Sequence, residues 1–401
     1  MNEKLLAELK KQDPARLTSE MVRIKSYSFM ENQEDEISQY IMDFFLERNI
    51  RAYRTEIVPG RFNVFAVLEG TDRENSPSLM LTGHMDTVPA YDFEDAFSGR
   101  IAEEADGRKY VYGRGSNDMK GPLAAMMCAM AAIKDSGIKL KGDLVFCGVA
   151  DEEEEGIGTA ALIKSGPITD AAVIGEPNSL EIALGHKGLE WIEIEFEGKK
   201  VHGGSQKTGV NAIMSAGKFI HKLESYLPEL AKRTHPVLGE ATLNIGTIQG
   251  GDQPSTVPDK CVIRLDRRCN IGETIEQVYE ELEAICEEIR REDPTFKAEV
   301  RDVFGGKTLR HVPFCTEKDD PLVLAAIKAE ENAGVSPVLT AFRAWTDAGF
   351  MNHYTSCHCI IMGPGELALA HSIHEKISVE ELETAARIYA DMAVDYCGVQ
   401  E

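Results

Sequence analysis

No stretch of this sequence is apolar for long enough to cross a bilayer as a helix. The longest uniformly apolar run, LAAMMCAMAAI at 123–133, falls well short of the ~20 residues a spanning helix needs. Nor is a secretory leader expected: the opening MNEKLLAELKKQDPARLTSE is polar, reads as helix and has no apolar core segment. Positive charge is scarce, with 43 Lys and Arg against 67 Asp and Glu and a formal net charge of −24. That balance argues against nucleic acid or an anionic membrane surface as partner, since both require basic patches. The nine cysteines are scattered and form no C-x-x-C pair. Cys357 and Cys359 flank His358, but inside an apolar, strand-like run. Reduced core thiols of a cytoplasmic protein are expected, not a disulfide or zinc framework. There is no internal repeat and no low-complexity segment apart from acidic runs.

What is present suits a globular protein of two domains: 401 residues, 43% apolar and 27% charged. Through the first half, helix and strand alternate. Helical patterns lie near 3–24 and 34–49, and strand-like runs at 51–58, 62–69 and 78–82. A helix follows at 121–135, with Pro122 in its first turn, then strand 143–150, helix 156–165 and strand 170–177. Such alternation predicts an α/β domain with a mostly parallel central sheet. From about Leu189 the texture changes, because LEWIEIEFEG alternates apolar and polar residues as a strand with one wet face does. Strands and the helices 209–226 and 273–291 then form an inserted α+β sandwich, until FGGKTLR (304–310) turns the chain back. The α/β pattern resumes with helix 320–333, strand 357–363 and helix 378–396. The expected division is 1–187 and 305–401 for the α/β domain, with 188–304 inserted.

Several strands of the larger domain end in residues able to bind metal. LTGHMDTVPA (81–90) delivers His84 and Asp86, with Gly83 read as the strand breaker; strand geometry continued past it would point both the same way. LVFCGVADEEEEG ends in an acidic run, AAVIGEP in Glu176, and CIIMGPGELALAH reaches His371. Asp118 lies in the glycine-punctuated loop GRGSNDMKGP just before the buried helix. Carboxyl ends of strands are where open α/β sheets build sites. Imidazoles and carboxylates collected there suit zinc or a similar divalent ion.

In order along the chain, GHMDTVP, GRGSNDMKG, ADEE, VIGEP and the late AHSIHEK resemble the co-catalytic zinc deacylases and peptidases. That family includes acetylornithine deacetylase, succinyl-diaminopimelate desuccinylase, carboxypeptidase G and aminoacylase. The resemblance implies a zinc-peptidase-like catalytic domain with an inserted lid and dimerisation domain. It also implies two divalent ions, zinc first, with cobalt or manganese as alternatives. Asp118 would bridge the ions, with His84 and Glu176 completing one and Glu153 and His371 the other. Asp86 would orient the His84 ring, and Glu152 would be the general base. A rival register shifts the acidic pair to Glu154 or Glu155.

GKKVHGGSQKTG resembles the family segment whose histidine reaches the partner subunit's site, which implies that His202 stabilises an oxyanion across a homodimer. The proline usual a few residues later is missing. In VIRLDRRCNIGE, Arg268 matches the substrate-carboxylate clamp, with Arg267 alternating to the other face. Asn244 is a further substrate-contact candidate. The last motif departs from the family by placing His374 before Glu375, which leaves His374 as the rival ligand to His371. FRAWTDAGF also departs from a small glycine-rich stretch. The implied activity is amide hydrolysis of a small carboxylate-bearing acyl amino acid, or alternatively of a short peptide. A dimeric binding protein that kept the fold is the rival from outside enzymology.

Overall fold

The computed structural model describes residues 3–400 except 106, 304, 305, 307 and 308. It divides into two compact units: 1–185 with 316–342 and 346–401, and 186–315 with 343–345. The expected turn at FGGKTLR and the boundary beside it fall largely on residues outside those described.

The first unit is built on an eight-stranded sheet. At its centre, Leu79–His84 lies parallel to both Leu144–Val149 and Ala171–Ile174, and His358–Ile361 runs parallel to the latter. Arg51–Val58 and Arg61–Leu68 extend one side antiparallel. The central strands are buried on both faces, which explains why they read as continuous apolar runs.

The helix Lys120–Ser136 is buried along almost its whole length. Alanine and methionine favour the helix, and Gly137 ends it in the left-handed conformation at φ 76°. Being apolar all round, it is sequestered between layers. Each buried Leu or Met there contributes about 1.5–3 kcal/mol. Val379–Cys397, which begins at the Ser378 cap, packs against it.

Two details differ from the sequence reading. The helical stretch 3–24 is two helices, Glu3–Leu9 and Pro14–Arg23, because the Asp13 side chain caps the second and Pro14 opens it. Gly83 does not break its strand, which runs on to His84. Instead it makes room: a Cβ there would lie 2.1 Å from the Met119 methyl carbon.

The second unit holds a four-stranded antiparallel sheet in the order Thr242–Gly250, Lys260–Cys269, Gly188–Glu197, Lys297–Asp302. Ile192, Ile194, Phe196, Ile263 and Leu265 face its core. Two helices, Ala212–Leu230 and Ile275–Glu292, cover that face. A capping box of Thr274 and Gln277 starts the second helix. Among the described residues, no helix is long and apolar enough to cross a membrane.

Candidate metal centre

His84 is the last residue of its strand, and the acidic run follows the neighbouring parallel strand, so both reach the same sheet end. Glu176 follows the strand on the other side. Asp118 ends the loop that enters the buried helix. One Asp118 oxygen lies 3.1 Å from His84 Nε2, and the other 3.3 Å from His371 Nε2. Glu176 Oε1 is 3.8 Å from His84 Nε2, and Glu153 Oε2 is 3.0 Å from His371 Nε2. Ligand atoms of His84, Asp118 and Glu153 lie within 4.8 Å of one another, as do those of His84, Glu152 and Glu176.

These spacings suit a shared cation. Ligands 2.0–2.1 Å from a tetrahedral zinc stand about 3.3 Å apart. The electrostatics point the same way. Burial pushes the Glu176 carboxyl up to about 8 and that of Asp86 up to about 7, and it raises Glu152 well above the carboxylate range. Burial disfavours the charged His84 ring, but the Asp118 hydrogen bond and the nearby carboxylates outweigh it and raise the pKa. Hydrogen bonds from both histidines overcome burial at Asp118 and hold its carboxyl low. A crowd of desolvated carboxylates is short of positive charge, which a metal ion would supply.

The Asp86 carboxylate lies beside the His84 ring and also reaches the acidic turn. His84 Nδ1 lies 2.9 Å from the main-chain oxygen of Asp86 and 3.7 Å from its carboxylate. The carboxylate also accepts the backbone N–H groups of Glu152 and Glu153, at 3.2 and 3.0 Å. The strand ends at His84, so Asp86 no longer follows its alternation. The turn it holds begins at Asp151, which sits at φ 68°. Asp151 accepts 2.8 Å from Arg61, and Arg61 also pairs with buried Glu34. Glu155 is exposed, whereas one Glu154 oxygen is buried without a partner.

The two histidines differ in exposure, with 1% of the His84 side chain accessible and 52% of that of His371. His374 is exposed, and its backbone N–H bonds Ser372. It is His371 that stands against Asp118 and Glu153.

Three residues without an assigned role join the surroundings. Glu375 accepts the backbone N–H groups of Asn117 and Asp118. Asn178 binds the backbone of Gly363 through its own backbone and side chain. Asp347 is buried, accepts the Thr159 hydroxyl at 2.7 Å, and its other oxygen has no partner. Only the motif positions of Glu375 and Asp347 hinted at them.

The remaining candidates belong to the second unit. His202 ends a short exposed strand, and its Nδ1 accepts the Gly204 N–H at 3.1 Å. That bond leaves Nε2 as the protonated nitrogen of the neutral ring. Asn244 is exposed and sits opposite Asp266. Arg268 lies on the outward face and grips Asp266 with two hydrogen bonds of 2.7 and 3.0 Å. Arg267 alternates inward, fully buried, onto Glu273.

Comparison with known proteins agrees with this chemistry. The profile of Peptidase family M20/M25/M40 matches residues 80–395. An acetylornithine deacetylase of Myxococcus xanthus is 32% identical over 344 residues, covering 84% of this chain and 85% of its own. An N-formyl-4-amino-5-aminomethyl-2-methylpyrimidine deformylase of Bacillus subtilis is 28% identical over 383 residues, covering 90% and 89%. In fold, the crystal structure of aminopeptidase PepT from Bacillus cereus superposes with a TM-score of 0.79 at 22% identity, over 96% of this chain and 98% of that one.

Proposed function

The chain belongs to Peptidase family M20/M25/M40, metal-dependent hydrolases of amide and peptide bonds, and from that premise we propose that it removes a short acyl group from a small carboxylate-bearing amino acid. The observation that carries the reading is Asp118, whose two oxygens each face a different histidine. His84, Glu176 and Asp118 would hold one divalent ion, and Asp118, Glu153 and His371 a second. Zinc is favoured by the donor set, with cobalt or manganese as alternatives. Ions bound there supply a lowered water pKa and polarisation of the scissile carbonyl.

Glu152 is the group left to move protons. It follows Asp151 in the turn held by Asp86, close to His84 and Glu176. As general base it takes the proton of the attacking water and returns it to the leaving amine. Burial and the neighbouring Glu176 raise its carboxyl above the ordinary range. Asp86 acts by fixing the turn that carries both Glu152 and Glu153.

The segment 188–304 serves as lid and dimerisation domain between catalytic parts 1–187 and 305–401. In the homodimer, His202 donates from Nε2 to the oxyanion in the partner's site. Arg268 binds the substrate carboxylate, and Asn244 adds a hydrogen bond. A cytoplasmic setting suits the free cysteines, most of them buried.

The relatives' names favour a deacylase over a peptidase, because deformylase and deacetylase both remove a short acyl group. The test is a mass-spectrometric assay of zinc-loaded protein against N-formyl, N-acetyl and N-succinyl compounds, dipeptides and tripeptides. Cleavage of acyl compounds alone supports the proposal. Cleavage of peptides alone overturns it in favour of a peptidase. No cleavage, with metal bound, returns the choice to a binding protein.

A further inference from the structure

Behind the candidate metal centre lies a carboxylate that faces none of the proposed ions. Glu375 is fully buried. Its Oε1 accepts the backbone N–H groups of Asn117 and Asp118, each at 3.1 Å. Its Oε2 pairs with Arg114, itself 1% exposed, which also donates from Nε to the Pro89 carbonyl. A buried ion pair is by itself weak evidence of anything beyond packing. What distinguishes this one is where its spare hydrogen bonds go: to the backbone of the residue whose two oxygens face the two histidines.

We propose that Glu375 is a positioning residue that sets Asp118 between both metal sites, with Arg114 as its counterion. The inference rests on the two-metal reading above. The Asn117 side chain supports it, donating to the Glu366 carbonyl and accepting the Glu366 N–H, both at 3.0 Å. The space is tight, since a Cβ on Gly365 would lie 2.1 Å from Asn117 Oδ1. The segment from Glu366 to Glu375 therefore grips the Asp118 loop at two points and also carries His371. Moving Asp118 alters its distances to both histidines together. Losing His84 or His371 touches one ion, whereas losing Glu375 weakens both.

Two double variants separate positioning from packing. In E375L/R114M the ion pair becomes apolar and the two N–H groups lose their acceptor. In E375Q/R114M the ion pair is also lost, but an amide oxygen can still accept them. Metal titration by calorimetry, with steady-state kinetics, is compared with the parent protein. The leucine pair is expected to bind all ions about 10–100-fold more weakly, with kcat falling more than KM changes. The glutamine pair is expected to recover most of that loss. Equal behaviour of the two pairs, or parental affinity and kcat in the leucine pair, overturns the proposal.

If the leucine pair does not fold, single E375D, whose shorter side chain keeps the charge but withdraws the acceptor from the Asn117 and Asp118 N–H groups, is followed by amide hydrogen exchange. Faster exchange across 115–119 with weaker metal binding supports the proposal, and no change in either overturns it. The parent's stoichiometry tests the underlying reading separately. One ion in the parent overturns the two-metal reading, and the inference is then judged on that ion's affinity in the two pairs.

Discussion

The strand-end cluster of the first unit and the outward sheet face of the second make contrasting places for chemistry. In the first, strands buried on both faces end together, and the side chains beyond them hold one another before any substrate arrives. In the second, one face of the sheet is wet. There Asn244 is exposed and Arg268 is engaged by its own neighbour, Asp266. Preorganisation in dry surroundings is where electrostatic catalysis gains most. On the proposed reading the first region holds the bond-breaking groups, and the outward sheet face of the second supplies recognition.

The sharpest way to break that contrast is at the acidic turn. Glu152→Gln should lower kcat about a thousandfold while keeping metal. Asp118→Ala should lose metal as well as activity. Metal analysis alongside initial rates checks both. A Glu152→Gln enzyme with ordinary turnover would remove the proposed base and leave the cluster without a proton carrier.

A smaller effect is expected from the second unit. His202→Ala should reduce kcat about 10²–10³-fold, the usual cost of one oxyanion donor. A mixture of His202→Ala and Glu152→Ala subunits should regain activity, because one composite site keeps both groups. No recovery in verified heterodimers would count against His202 acting across the dimer.

Most of the cluster was legible because local signals carry it: an apolar run, then a histidine or carboxylate, at several strand ends in turn. The sheet and long helices followed from the same patterning. Conformation at strand ends was less legible. Gly83 looked like a breaker, yet the residue was small to admit Met119, a contact formed only by folding. The strand ends at His84, so period-two alternation does not carry on to Asp86. Arg61 left no local trace and Glu375 only its motif position, since Arg61 reaches Asp151 across 90 residues and Glu375 reaches Asn117 across 258. The break before Pro14 was readable, because Asp-Pro is an ordinary helix start.

Recognition should be tested next, and more gently. Arg268→Ala should raise KM about tenfold with little change in kcat, as expected on removing a charged hydrogen bond made equally in ground and transition states. Arg268→Lys should not restore it, because a point charge cannot reproduce the two-pronged grip. A matching fall in kcat, measured on the same substrate, would move Arg268 from recognition into catalysis.

The smallest expected effect separates burial from function within the first unit. Glu330, on the helix Pro321–Ala333, is fully buried and neither carboxylate oxygen has a partner. Burial, with Glu181 adding to it, pushes its carboxyl up to about 8. The unfolded chain ionises this group near pH 4.5, so stability falls as pH climbs from there toward 8, where the folded form also ionises. Glu330→Met should therefore be nearly neutral at pH 4.5 and stabilising by roughly 1–3 kcal/mol at pH 8. Urea unfolding at the two pH values measures the difference, and activity should stay unchanged. A pH-independent gain would mean that Glu330 stays protonated or finds water, and that burial alone does not penalise a carboxylate there. The carboxylates around His84 would then owe their raised pKa values to one another more than to the dry interior they share.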